Sequence, residues 1–162
     1  FLQHQVQVVI VGSGDPSLAA QLQSIAQQHP DKFAFINAYD DRLAHLVEAG
    51  ADFFLMPSLF EPCGLNQMYS LAYGTLPLVR AVGGLKDTVV DWDADPTHAT
   101  GFCFNDPTAS TLLDAMRRSL LHYLQEPARF ARVQHHAMNT RFDWADSVIL
   151  YEQMYQDALA TV

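Results

Sequence analysis

The alternation of short apolar runs with amphipathic segments over the first hundred residues constrains the fold of this chain more than any other feature. Four runs, QVQVVIVG, KFAFINAY, ADFFLMPS and TLPLVRAV, are rich in β-branched and aromatic residues and predict strands. Apolar residues at helical spacing predict helices between them, over residues 16–29, 41–50 and 65–74. Strands that alternate with helices across short connections predict an α/β domain with a parallel sheet flanked by helices. The third run is almost wholly apolar, so we expect that strand to be covered on both faces.

The C-terminal part of the chain predicts a mostly helical end to the domain. The polar, acidic segment WDADPTHATGF predicts a loop, and GFCF predicts a short edge strand. Three helices complete the prediction, over Ala109–Leu124, Ala128–Met138 and Trp144–Leu159. The last of them carries an apolar stripe of Trp144, Val148, Tyr151 and Tyr155. A length of 162 residues with 49% hydrophobic residues fits one domain with a core of its own.

The composition limits the partners of the chain. A net charge of -9 argues against nucleic acid, because the neutralisation of phosphates needs a basic face. No apolar stretch is long enough to span a bilayer, and the first apolar run is too short for a signal peptide. The cysteines Cys63 and Cys103 make no disulfide framework, which favours a reducing compartment and leaves a single pair open. Only Lys32, Arg42, Arg80 and Lys86 are basic before position 110, so an anionic ligand there depends on backbone amides or on cations from elsewhere.

Unusual loop residues follow the predicted strands at the edge where parallel sheets bind ligands, the carboxyl ends of the strands. This edge groups four segments, residues 12–15, 39–40, 58–66 and 81–85. GSGD after the first strand is half of a dinucleotide-binding fingerprint, but Ser17 replaces the third glycine, so an ordinary turn is the simpler interpretation. Tyr39 either stacks on a base or is a tyrosine of the core or its rim.

The stretch PSLFEPCGLNQ places Glu61 and Cys63 between a strand and a helix. A nucleophilic role for Cys63 lacks a base nearby in sequence, and no zinc-binding spacing of histidines and cysteines is present, so a structural or site-lining thiol is the better interpretation. Glu61 is either a solvated loop glutamate or a ligand-binding carboxylate. The next residues, Leu65, Asn66 and Gln67, open a helix whose free N–H groups form an anion site. A ligand with a polyol part and a phosphate part fits this combination.

The pair Gly83-Gly84 repeats the arrangement after the next strand. Two glycines let the backbone approach a ligand closely, and the helix that begins near Leu85 presents further N–H groups. A plain left-handed turn is the alternative.

The stretch PSLFEPCGLNQMYSLAYGTLPLVRAVGGLKDTVVD resembles the bacterial glycogen synthases and plant starch synthases, which are ADP-glucose-dependent retaining glucosyltransferases of glycosyltransferase family five. Their pattern is P-S-x-x-E-P-C-G-L-x-Q, then Y-G-x-x-P-[LIV]-V-R, then G-G-L-x-D-T-V, and the similarity covers nearly the whole chain. The resemblance implies a GT-B enzyme, in which two Rossmann-like domains enclose the active site. Residues 1–162 are then a single nucleotide-sugar-binding domain, the partial C-terminal domain, and the N-terminal domain is absent.

The resemblance also implies roles on the sugar side of the site. Glu61 is the catalytic carboxylate that contacts the donor glucose, and Cys63 lines the site near the sugar. The wider GT-B pattern has a second glutamate eight positions further on, where this chain has Tyr69, as is usual among the synthases. Glu61 therefore acts without that partner.

On the nucleotide side, the resemblance implies that Tyr39 stacks on adenine. Backbone amides of the helix start serve the phosphates, from Gly64, Leu65 and Asn66. The second glycine turn borders the sugar and the diphosphate, through Gly83, Gly84 and Leu85. Bacterial members often have threonine at position 66, and a backbone contact survives the change to Asn66.

The implied reaction transfers glucose from ADP-glucose to the non-reducing end of an α-1,4-glucan such as glycogen, with retention. The partners are ADP-glucose or ADP, the glucan acceptor and the missing N-terminal domain, with no nucleic acid, membrane, cofactor or metal. The cations for the donor phosphates lie upstream of Phe1 in the family, which accounts for their shortage here. The implied compartment is the bacterial cytoplasm, or the plastid stroma for a plant homologue. A GT-B enzyme with a UDP-sugar donor and a non-catalytic nucleotide-binding module remain as alternatives.

Overall fold

The computed structural model describes residues 1–160, apart from the side chain of residue 146. Residues 161 and 162, which the predicted single domain includes, lie outside the described part. The described elements alternate as predicted, in the order β1 (Val8–Val11), α1 (Pro16–Gln28), β2 (Phe33–Ile36), α2 (Asp41–Gly50), β3 (Phe53–Met56), α3 (Asn66–Tyr73), β4 (Leu76–Arg80), α4 (Gly84–Thr88), β5 (Phe102–Phe104), α5 (Ala109–Gln125), α6 (Pro127–Asn139) and α7 (Trp144–Ala160). The α/β class and the C-terminal helices are therefore confirmed.

All strand pairs are parallel, but they form two sheets. One sheet pairs β1 with β2, and the other has the order β3-β4-β5. Within residues 1–160 no ladder joins β1 to β3, so each of these strands has one paired and one open edge. The expectation that β3 is covered on both faces is wrong, because Leu55 is 38% exposed and its neighbours in the strand are only half-buried. The strand covered on all sides is β4, which lies between β3 and β5 and is buried from Leu76 to Val79.

The main core lies between the three-stranded sheet and helices α3, α5 and α6. Trp92, which belongs to the predicted polar loop, is fully buried and stacks on Phe102 with ring centroids 5.2 Å apart. Arg118 on α5 forms an ion pair with Asp91 at 2.7 Å, and Asp91 also bridges to Gly101. The acidic segment is therefore fastened at both ends and supplies a central core residue.

Helix α7 carries the predicted apolar stripe, but the stripe is exposed: Trp144 is 71% and Tyr155 is 63% exposed. Among residues 1–160, no helix has both the length and the apolar character that crossing a bilayer requires.

Candidate active site

The Glu61 loop, residues 57–65, connects β3 to α3 at the carboxyl edge of the three-stranded sheet. Arg80, at the end of β4, holds the beginning of this loop: its Nη1 donates to the carbonyls of Ser58 (3.3 Å) and Leu59 (2.9 Å). Its Nε donates to the carbonyl of Asn105 beyond β5 (2.9 Å). One side chain thus ties the loop to the ends of two neighbouring strands.

The Glu61 side chain is half-buried, and its carboxylate accepts a long hydrogen bond from Ser58 Oγ at 3.4 Å. Within the described residues no ion pair involves Glu61, and Arg80 contacts only carbonyls. The carboxylate is therefore available to a ligand at this edge.

The Gly83-Gly84 pair faces the backbone of the Glu61 loop. The Gly84 N–H donates to the carbonyl of Glu61 at 3.2 Å. A Cβ on Gly84 would lie 2.7 Å from two backbone carbons of Cys63, and a Cβ on Gly83 would collide with the carbonyl oxygen of Glu61. Gly83 also has φ +48, which L side chains rarely adopt. The two glycines therefore allow the start of α4 to pack closely against the backbone of the Glu61 loop.

Leu85 points away from this edge. Its side chain is fully buried in a small cluster with Val79 and Val89, and its N–H already donates to the carbonyl of Val82 (3.2 Å). Its carbonyl accepts from the N–H of Val89 (3.1 Å), so both backbone polar groups of Leu85 are already paired within the protein.

The start of α3 leaves its N–H groups free. Leu65 is the N-cap and provides no side-chain hydrogen bond. The backbone N–H groups of Gly64, Leu65 and Asn66 have no acceptor within residues 1–160. By contrast, Asp15 caps α1 and Asp40 caps α2 by accepting from the first-turn amides. The predicted anion site therefore fits α3, whereas the GSGD segment is an ordinary capped turn.

Tyr39 follows β2 and is 91% exposed, so its interpretation as a core tyrosine is wrong. Its ring is free to stack on a planar ligand.

Cys63 is exposed, and its Sγ contacts the carbonyl of Gly64 at 3.4 Å. Among the described residues no histidine bonds to this thiol, and it forms no disulfide with Cys103. No cluster of three or more histidine, cysteine, aspartate or glutamate side chains with the geometry of a metal site occurs in this part of the chain. A thiol that lines the site is the interpretation that these contacts favour.

Two side chains that shape this site, those of Arg80 and Gln67, have no role that the sequence predicts. The sequence marks Arg80 only as one of few cations and Gln67 only through its backbone amide. The Gln67 side chain is fully buried and contacts both the Glu61 loop and α4. The PSLFEPCGLNQ pattern includes this glutamine, but no local periodicity reveals that a polar side chain turns inward.

Comparisons with known proteins identify a family, similar sequences and a similar fold. The family model for "Glycosyl transferases group 1" matches residues 2–133. A glycogen synthase from Aeromonas salmonicida is 86% identical over 160 residues, which are 99% of this chain and 33% of that protein. A glycogen synthase from Vibrio parahaemolyticus is 62% identical over 98% of this chain and 33% of its own length. The chain therefore spans about a third of the length of the curated relatives that it matches.

The fold also matches a solved structure, the catalytic domain of starch synthase IV from Arabidopsis thaliana bound to ADP and acarbose. The TM-score is 0.81 with 32% sequence identity, over 95% of this chain and 32% of that one. The resemblance noted in the sequence is confirmed by these similarities.

Proposed function

The chain belongs to the group 1 glycosyl transferases, and from this premise we propose that it is the donor-binding part of a glycogen synthase. The full protein transfers glucose from ADP-glucose to the non-reducing end of an α-1,4-glucan, with retention at the anomeric carbon. The identity of 86% to a glycogen synthase and the similarity to a starch synthase domain bound to ADP and acarbose support this choice.

The observation that carries the proposal is that an available carboxylate in the Glu61 loop is followed, at the start of α3, by three amides without an acceptor among the described residues. The amides of Gly64, Leu65 and Asn66 suit an anionic diphosphate, because a helix start offers N–H groups and a partial positive charge. Glu61 suits the neutral, hydroxyl-rich glucose next to it. A ligand with both parts is a nucleoside diphosphate sugar.

The proposed chemistry uses one carboxylate. A double-displacement glycosidase needs a nucleophile and a separate acid/base carboxylate. Here the diphosphate is the leaving group, and its oxygen takes the proton of the attacking 4-hydroxyl on the same face of the sugar. The free amides at the start of α3 stabilise the negative charge that develops on the phosphate. Glu61 orients the sugar and supports the oxocarbenium-like state, and no cofactor takes part.

The remaining roles concern other parts of the donor. Tyr39 stacks on the adenine, Cys63 lines the sugar pocket, and the Gly83-Gly84 turn borders the diphosphate. The cations that neutralise the phosphates come from the part of the protein outside these residues. We therefore propose that the 162-residue chain alone has no transferase activity, since half of the cleft and its closure are missing.

The test is glucose transfer by the full-length protein. We expect incorporation from labelled ADP-glucose into glycogen, with ADP-glucose outcompeting UDP-glucose in calorimetric titrations. In Glu61→Ala the turnover should fall at least about 100-fold, the cost of losing one strong transition-state contact, with ADP affinity within about threefold of wild type. Glu152→Ala on exposed α7 is the matched control.

Preference for UDP-glucose would replace the proposed donor. ADP binding without transfer would favour a nucleotide-binding module, and near-normal turnover of Glu61→Ala would remove the role given to Glu61.

A further inference from the structure

Gln67 lies in the first turn of α3, and its amide side chain is fully buried. Its Nε2 lies 3.1 Å from the carbonyl oxygen of Cys63 and 3.1 Å from that of Gly64. It also lies 3.2 Å from Thr88 Oγ1 on α4. Two N–H hydrogens thus serve three oxygen atoms, two of them in the Glu61 loop and one on α4.

The other end of the same amide is unsatisfied. Gln67 Oε1 is buried without a hydrogen-bond partner among the described residues. An unpaired buried acceptor lowers stability, and an apolar side chain of the same size avoids that cost. Stability alone therefore explains this side chain poorly, and all of its hydrogen bonds are formed by its NH2 group.

The carbonyls that Gln67 holds determine where two amides point. In a planar trans peptide the C=O and the N–H of one unit point in opposite directions. When the Cys63 carbonyl turns inward to Gln67, the N–H of Gly64 turns outward. The inward carbonyl of Gly64 directs the N–H of Leu65 outward in the same way. Neither N–H has an acceptor within residues 1–160.

A second connection reaches the glycine turn. Thr88 Oγ1 accepts from Gln67 and donates to the carbonyl of Gly84 at 2.6 Å. The Gly84 N–H in turn donates to the carbonyl of Glu61. A continuous series of hydrogen bonds through Gln67 therefore fixes the position of the Glu61 loop relative to the start of α4.

We propose that Gln67 is a positioning residue for the sugar-nucleotide donor: with Thr88, it turns the Gly64 and Leu65 amides toward the diphosphate. This inference rests on the proposed function, because it assigns the ligand of those amides. It adds a buried side chain, which itself touches no ligand, as the determinant of phosphate binding at this edge.

The discriminating experiment compares two ligands in the full-length protein. Gln67→Met keeps the length of the side chain and removes both donors. ADP has the diphosphate that the amides bind, and adenosine lacks it. We expect the affinity for ADP to fall about tenfold for each amide that turns away, and the affinity for adenosine to stay unchanged. A purely structural role does not separate the two ligands.

Gln134→Met is the matched control. Gln134 on α6 also donates through Nε2 to a glycine carbonyl, that of Gly74, at 2.8 Å, but at the C-terminal end of α3. The same substitution there should leave both affinities at wild-type values. Thr88→Val is the second variant: it removes the connection to Gly84 with little change of shape, and it should weaken ADP binding by a few fold without an effect on adenosine.

Equal ADP affinity in wild type and Gln67→Met, or parallel losses for ADP and adenosine, would overturn the inference while the proposed function stands. If Gln67→Met does not fold, an unchanged ADP affinity in Thr88→Val would overturn the inference instead. Failure of the wild-type protein to bind ADP would overturn the proposed function, and the inference with it.

Discussion

Substitution of Gly84 by alanine tests how closely the two loops of the site depend on each other. The new methyl group would lie 2.7 Å from the Cα and the carbonyl carbon of Cys63, and closer still to its oxygen. Non-bonded carbon atoms prefer about 3.5–4.0 Å, so the loop or the start of α4 must move by roughly 1 Å. Both obstacles are backbone atoms, which no rotamer change can remove.

A displacement of this size would also move the Glu61 carboxylate and the free amides that follow it. A misplacement of about 1 Å in a catalytic group costs about 100-fold in rate, which corresponds to about 2.7 kcal/mol in the activation free energy. Overpacking itself destabilises the fold by about 1–3 kcal/mol. We therefore expect Gly84→Ala to remain folded with a lower Tm and to lose about 100-fold in kcat.

The assay is initial-rate transfer from ADP-glucose by the full-length protein, with Tm measured on the same samples. Gly50→Ala is the matched control: Gly50 ends α2, and a Cβ there meets no atom within 4 Å. Alanine in that helical position should stabilise by about 0.5–1 kcal/mol without a change in kcat. A kcat of Gly84→Ala within about threefold of wild type, in a folded protein, would refute the packing argument.

Two further predictions concern groups outside the site. Burial by itself raises the pKa of Asp91, but hydrogen bonds from Arg118 and from the N–H groups of Cys103 and Asp93 outweigh it and hold the pKa below its usual range. A lowered folded-state pKa stabilises the protein above the unfolded pKa of about 3.9, and that stability is lost as the pH falls through the folded value. In urea unfolding at pH 7, Arg118→Met should therefore lower the free energy of unfolding by about 3 kcal/mol, and this loss should be smaller below about pH 4. The control Arg117→Met, which breaks an exposed pair, should lower it by less than about 1 kcal/mol. Equal losses in the two variants would contradict this prediction. Burial, together with the nearby Asp91 carboxylate, raises the pKa of the Cys103 thiol to about 12, whereas Cys63 is exposed. Iodoacetamide at pH 8 should therefore label Cys63 at least about tenfold faster than Cys103 by peptide mass spectrometry, and equal rates in the folded protein would count against the burial of Cys103.

Much of the fold was predictable because its signals are local. Asp15 and Pro16 mark the start of α1 through a side-chain cap and a fixed φ, which agrees with the helix predicted from residue 16. Gly74 ends α3 with φ 78, at the last residue of the helix predicted over residues 65–74. Such signals span only a few residues, so the sequence alone contains them.

The burial of individual strands was less predictable. The runs of β1 and β3 are as apolar as the run of β4, yet only β4 is buried between two partners. Strand pairing depends on segments far apart in the chain. The composition of a run shows that it can be buried, but it does not show which segment will cover it. For the same reason the acidic segment that contributes Trp92 to the core was predicted only as a loop.

The sequence by itself determined that Glu61 precedes an uncapped helix start at the carboxyl edge of a parallel sheet, since strand, loop and helix follow one another within a dozen residues. Only the tertiary structure decided what holds that loop in place. Arg80 reaches it from 21 or 22 positions away, and Gln67 joins it to Thr88 across 21 positions. These contacts arise where two strand-to-helix connections meet, and no periodicity encodes the approach of one backbone to another. The motif supplies the chemical groups, and packing between neighbouring connections gives them their direction.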